Sequence, residues 1–241
     1  VAKGERTPLT PLWQTPKLSG KNGKIAVLSD DFVGMSCDVA ICKLQELNGT
    51  LPQSFLECDA EKFLYLPPFH TSSDVKIIGK CVAENHLDGL YIESYDGLLL
   101  ARELGCKAFA GTGLNLTNAV SVSMIDSQVS YYAISKELSE REIAPLISSK
   151  AFVLSSGDIK IMDLCYCPFG KTCVKCDRKT HYVLTDENGR EFPVRRYLVA
   201  EGACRFEVYN CASLIGRGGD GAGCLLETTM QPQKALAVQA V

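Results

Sequence analysis

Short apolar runs recur along the chain, separated by stretches of mixed polarity. They occupy residues 25–28, 63–66, 89–92, 108–110, 131–134, 152–154 and 159–162. The runs are nearly continuous in apolar residues and lack the in/out alternation of a half-buried strand. Strands covered on both faces read this way, as in a parallel sheet flanked by helices. Three intervening stretches carry helix signals. Residues 97–105 set Leu98, Ala101, Arg102 and Leu104 at helical spacing, and Gly105 stands where a C-cap belongs. Residues 139–146 open on Ser139, an N-cap residue, and Glu142 three positions on completes a capping box. Residues 115–125 begin near Thr117 and Asn118, either of which can cap a helix.

Alternation of strand and helix implies βαβ units around a parallel sheet. A full (β/α) barrel takes about 250 residues, more than the stretch from 25 to 164 supplies. The pattern therefore predicts an α/β fold, a partial or degenerate TIM-like barrel with a cysteine-rich β-hairpin insertion. The hairpin is signalled by residues 181–184 and 191–194, which flank Asp186-Glu187-Asn188-Gly189; Asn-Gly accepts the positive φ of a tight turn. Residues 216–223 are glycine-rich but lack the Lys-Ser/Thr ending of a phosphate-binding loop, so they read as a linker. Residues 225–229 read as a strand, and 231–241 as a last helix with Pro232 at its first turn. The expected organisation is an extended arm (1–24), a barrel portion (25–164), a metal-binding insertion (165–215) and a closing loop, strand and helix (216–241).

Composition changes this picture in one respect. The hydrophobic share of 46% supports a core, and the net charge of −3 implies no class of partner, although Arg195-Arg196 offers a local basic patch. No apolar run approaches the roughly 20 residues of a spanning helix, and no signal sequence opens the chain, so a cytoplasmic, reducing compartment is expected. Twelve cysteines are many for such a chain, and six of them fall between 165 and 211. Cys37, Cys42, Cys58, Cys81 and Cys106 lie among apolar residues and read as small core residues. Cys167, Cys173, Cys176 and Cys204 instead form a ligand-like pattern, since the two-residue gap of Cys173 and Cys176 lets both thiolates face one centre. Four thiolates suit tetrahedral zinc or an iron–sulfur cluster. Cys165 is the natural substitute ligand.

From Tyr65 onward the order of motifs resembles the U-32 family of collagenase-like peptidases. The matching pieces are Leu66-Pro67-Pro68, Asp88-Gly89-Leu90-Tyr91-Ile92, Leu114-Asn115-Leu116-Thr117-Asn118, Ser135-Lys136-Glu137-Leu138-Ser139, Cys167-Pro168, Cys173/Cys176, Phe192-Pro193-Val194, Cys204 and Leu226-Glu227-Thr228-Thr229. Of these, Ser135-Lys136-Glu137-Leu138-Ser139 resembles the family's Ser-Pro-Glu-Leu-Ser. The resemblance implies a TIM-like barrel with the cysteine segment inserted before the last strand. It also implies a [4Fe–4S] cluster on Cys167, Cys173, Cys176 and Cys204, with zinc as the alternative. The activity implied is oxygen-independent hydroxylation of an RNA base or similar planar substrate. Two other readings stand beside it: a peptidase acting on polypeptide, and a non-catalytic module in which metal staples the hairpin to the barrel.

Barrel sites gather at strand C-terminal ends. Glu93, Asn115, Asn118 and Glu137 follow predicted strands and are the expected catalytic residues. Helix capping competes for Asn118 and Glu137, and a solvated loop for Glu93. His70, His86 and His181 show no metal or nucleophile spacing. A partial barrel would leave sheet edges to be covered, for which a homo-oligomer is one solution.

Overall fold

The computed structural model describes residues 18–170, 173 and 176–230. In chain order the elements are β1 (Ile25–Ser29), β2 (Val39–Cys42), α1 (Gln53–Leu56), β3 (Glu61–Leu66), α2 (Ser72–Glu84), β4 (Gly89–Ile92), α3 (Asp96–Glu103), β5 (Lys107–Ala110), α4 (Ala119–Ile125), β6 (Tyr131–Ala133), α5 (Glu140–Ile143) and β7 (Ala151–Gly157). An inserted unit follows, with β8 (Lys160–Leu164), β9 (His181–Thr185), β10 (Glu191–Leu198) and β11 (Cys204–Tyr209), before β12 (Gly223–Glu227). Eight strands close a parallel barrel in the order β1-β12-β7-β6-β5-β4-β3-β2. This is the TIM-like α/β barrel expected, and its ring is complete. Its degeneracy lies in the helices, which is how the ring closes in so short a chain. β1 and β2 are joined without a helix, and α1 and α5 are four residues each.

Local chemistry explains the helices that do form. Thr71 and Asp74 make a reciprocal capping box at the start of α2, and Asn118 and Ser121 make one at α4. Gly105, with φ of +65°, ends α3 as the sequence predicts. The strands β2 and β11 and the helix α2 carry weaker patterns and escape the sequence reading. The run at 159–162 proves not to be a barrel strand. Gly157 has φ of +105°, and its missing Cβ lets the chain pass tightly against the Glu227 carbonyl and leave the ring. The run then pairs antiparallel with β11 as β8. The hairpin at Asn188-Gly189 forms as expected, with β9 and β10 antiparallel. The last helix expected at 231–241, and residues 1–17 of the arm, lie outside the described residues.

The barrel interior is filled largely by aromatic rings. Phe109 sits 5.1 Å from Tyr91, 5.0 Å from Phe152 and 5.9 Å from Phe63, centroid to centroid. At the N-terminal ends of the strands, Lys107 bridges Glu61 (2.9 Å) and Asp88 (3.0 Å), and Lys24 also pairs with Glu61. The four-stranded sheet, ordered β8-β11-β10-β9, caps the opposite end. Three backbone contacts dock it. Leu198 N–H donates to the Gln45 carbonyl (2.9 Å), Leu47 N–H donates to the Leu198 carbonyl (2.8 Å), and Ala200 N–H donates to Asp74 Oδ1 (2.6 Å). Among the described residues no helix is long and apolar enough to cross a membrane.

Candidate active site at the capped barrel mouth

The C-terminal ends of five barrel strands converge on one small cavity. Lys43 follows β2, Glu93 follows β4, Lys136 lies just past β6, Asp158 follows β7, and Glu227 ends β12. Lys160, the first residue of β8, enters from the cap. Tyr91 and Thr112 complete the polar wall. Free space amounts to about 10 Å³, enough for one water-sized sphere. Gly111 and Gly113 make room for Glu93, because a Cβ at either would collide with its carboxylate.

Buried charges knit cap to barrel directly above this cavity. Lys43 Nζ lies 3.3 Å from Glu207 and 3.1 Å from Glu227, with all three side chains nearly inaccessible. Arg195 reaches Glu207 at 3.1 Å and donates to the Leu44 carbonyl at 2.6 Å. Tyr209 donates to Glu207 Oε2 (2.8 Å), and Tyr65 to its Oε1 (3.1 Å). Lys160 donates to the Tyr65 hydroxyl (2.7 Å) and pairs with Asp163 (3.0 Å) and Glu93 (3.6 Å).

These surroundings set protonation. Burial alone would raise the Glu207 carboxyl, but Lys43, Arg195 and Lys160 together hold it well below the usual range. Burial pushes down on the Lys160 ammonium, yet Glu93, Glu207 and Asp163 outweigh it and keep the charge. Glu227 is pushed up by burial, with Lys43 opposing. Asp163 is also raised by burial. Burial lowers Lys136, with Glu93 opposing and the nearby Lys160 adding to the fall. The mouth thus holds a fixed cation at Lys160, a carboxyl pushed up at Glu227 and an amine pushed down at Lys136.

The residues expected from sequence divide. Glu93 lines the cavity. Asn115 instead accepts from Ser135 Oγ (2.5 Å) beside it, in a left-handed conformation with φ of +50°. Asn118 caps α4, its Oδ1 accepting from Ser121 N–H at 2.9 Å. Glu137 is exposed, and its backbone N–H donates to Ser135 Oγ at 3.3 Å. Asn115, Asn118 and Glu137 are therefore corrected from mouth residues to local structural ones. Arg195 is buried at 1% exposure, which removes the Arg195-Arg196 surface patch. Lys43, Lys160 and Glu227 were not singled out as catalytic. Their available signal was a charged residue closing an apolar run, as in Ile41-Cys42-Lys43 and Leu225-Leu226-Glu227.

The cysteines meet elsewhere. Cys165, Cys167, Cys173, Cys176 and Cys204 line a separate cavity of about 630 Å³ at the outer side of the cap, with Phe169, Tyr182 and Phe206. All twelve cysteines are free thiols. Among the described residues no three Cys, His, Asp or Glu gather tightly enough to hold a single metal ion. A zinc–sulfur bond of about 2.3 Å requires thiolates about 3.8 Å apart, whereas a [4Fe–4S] cubane separates its four thiolates more widely. The local groups favour thiolate at Cys176. Arg178 N–H donates to Cys176 Sγ at 3.3 Å, which with the Tyr182 hydroxyl lowers that thiol, and Arg196 lies 3.4 Å from Cys204 Sγ. Cys167, Cys173, Cys176 and Cys204 supply the thiol donor set that a thiolate-held centre requires.

No protein-family model and no curated protein matches the chain. Among solved structures, it is similar to the spore cortex-lytic enzyme SleL of Bacillus megaterium QM B1551, at 10% identity and a TM-score of 0.38, over 91% of this chain and 74% of that one. It is also similar to a chitinase of Chromobacterium violaceum ATCC 12472, at 11% identity and a TM-score of 0.34, over 83% of this chain and 93% of that one. Neither is an RNA hydroxylase or a peptidase, and likenesses this distant carry nothing about activity. The three functions expected from sequence are corrected on the site itself. A hydroxylation cluster should adjoin the mouth, but the cysteine cavity shares no lining residue with it. A Cys or Ser peptidase needs a nucleophile beside a base, and the mouth cavity is lined by no Cys, Ser or His among the described residues. A metal-stapled module needs the metal to hold the insertion, yet buried ion pairs and backbone hydrogen bonds already dock it.

Proposed function

We propose that the chain is an enzyme carrying out acid–base chemistry on a small polar substrate at the capped barrel mouth. One observation carries the reading: Lys43, Glu93, Lys136, Asp158 and Glu227, from five separate strand ends, face one cavity. Convergence of ionisable groups at this end of a (β/α) barrel is the usual architecture of its catalysis. Glu227, whose carboxyl burial pushes up, serves as the acid. Lys160 stays charged and stabilises negative charge developing on substrate oxygen. Glu93, opposite Lys160, accepts the proton.

The experiment is a nuclear magnetic resonance screen of small polar compounds grouped by reaction class, using wild type, Glu93→Gln and Glu227→Gln. Wild type is expected to turn over one class, and each variant to lose about 100-fold or more, the scale of general acid–base catalysis. A screen with no turnover, or turnover indifferent to both substitutions, overturns the reading.

Two further assignments belong to the same proposal. The order of motifs from Tyr65 supports membership of the U-32 family, and the free thiols suit a reducing, cytoplasmic compartment. Cys167, Cys173, Cys176 and Cys204 would hold a [4Fe–4S] cluster, which supplies one-electron or ligand-binding chemistry when bound. Anaerobic reconstitution with ferrous iron and sulfide is expected to give a brown protein with about four irons per chain, and Cys176→Ser is expected to lose both. Colourless protein after reconstitution would remove the cluster and leave the mouth reading in place.

A further inference from the structure

We propose that Lys136 is an imine-forming nucleophile, whose amine condenses with the carbonyl carbon of a small aldehyde or ketone in the mouth cavity. The proposal rests on the reading of the mouth as the active site and names its substrate class. Three lysines line the cavity, and two are committed to carboxylates. Lys43 pairs with Glu227 at 3.1 Å and Glu207 at 3.3 Å, and Lys160 pairs with Asp163 at 3.0 Å and Glu93 at 3.6 Å. Lys136 forms no ion pair among the described residues; its Nζ donates to the Lys160 carbonyl. It is the cavity amine that no carboxylate locks in the charged form. Burial favours its neutral, nucleophilic form and outweighs the pull of Glu93, Asp163 and Glu137 toward the charged one, with the Lys160 cation on the side of burial.

The backbone is fixed for this role. Arg217 donates from Nη1 to the Lys136 carbonyl at 2.8 Å and also reaches the Leu138 carbonyl. On the other side Ser135 is held by Asn115. The side chain itself is half-buried, so its flexible arm can yield space to a substrate that the present cavity is too small to admit. The neighbours supply the proton transfers. The Lys136 lone pair forms the C–N bond while the carbonyl oxygen takes a proton from Glu227. Glu93 removes a proton from nitrogen, giving a carbinolamine. Return of a proton to the hydroxyl expels water and leaves C=N in place of C=O. No oxidant or reductant enters, and one water leaves.

The test uses the full chain with glyoxylate and cyanoborohydride at pH 7, with label located by peptide mass mapping. Lys136 is expected to be trapped about tenfold faster than the exposed Lys80 and Lys179, the behaviour of a desolvated amine beside a second cation. Its labelling is also expected to saturate with glyoxylate while theirs rises linearly. Labelling of Lys136 no faster than Lys80 overturns the proposal in the unmodified protein, whatever any variant does. Turnover that survives Lys136→Arg but is lost in Glu93→Gln overturns the imine and leaves the acid–base site standing. Turnover that survives both substitutions overturns both.

Discussion

Glu207 shows what a single side chain can bear. It is fully buried, and it neutralises Lys43 and Arg195 while accepting from Tyr65 and Tyr209. Glu207→Gln keeps the shape and removes the charge, leaving buried Arg195 without its carboxylate and Lys43 with Glu227 alone. We expect a loss of about 3–5 kcal/mol, the cost of breaking a buried ion pair from one side, read as a shift in the urea midpoint at unchanged slope. A loss below about 1 kcal/mol would mean that water relieves Arg195. At this scale the sequence disclosed little. Glu93 was legible because it directly follows an apolar strand. Glu207 and Arg195 were not, because the contacts that bury them reach across the chain, as for Lys43 and Glu207, 164 residues apart. Nothing local marks a charged residue in an alternating strand as buried.

Elements were far more legible, since period and caps are local properties. Most barrel strands appeared as unbroken apolar runs, and Ser139 with Glu142 announced α5. The strand β2 escaped because its four residues sit between polar neighbours, and β8 was placed in the wrong sheet because Gly157 diverts it. Asn118 belongs to this scale. Asn118→Ala removes the side-chain acceptor at the start of α4 and is expected to cost about 1 kcal/mol. Since that cap lies outside the mouth cavity, Lys136 trapping by glyoxylate is expected to stay unchanged. A fall in trapping that exceeds the fall in folded fraction would return Asn118 to the site. Gly113→Ala should behave oppositely. A Cβ there meets the Glu93 carboxylate, so turnover is expected to fall by about tenfold or more as the acid–base group is displaced, and a kinetic comparison at equal folded fraction checks it.

The whole molecule is closed at both ends by charge, with aromatic rings between. At the N-terminal end burial would raise Glu61, but Lys24, Tyr131 and Lys107 lower it from 4.5 to about 2. A carboxyl depressed in the folded state adds stability above its unfolded value and loses it on acidification. Stability is therefore expected to decline as pH falls from about 4.5 toward about 2, and Glu61→Gln is expected to flatten that part of the profile. Equal acid slopes in the two proteins would show that Glu61 does not drive it. Closure of the ring was legible as a TIM-like barrel, but its completeness was not, because short and missing helices made eight strands look like fewer.

The bond between Lys43 and the inserted sheet has an evolutionary corollary. A lineage that replaces this lysine with an apolar residue leaves Glu207 and Glu227 facing each other across a dry gap, so the exchange is tolerated only alongside compensating replacements. Homologous sequences should therefore vary at positions 43, 207 and 227 together or hardly at all, even though the three fall in distant parts of the chain.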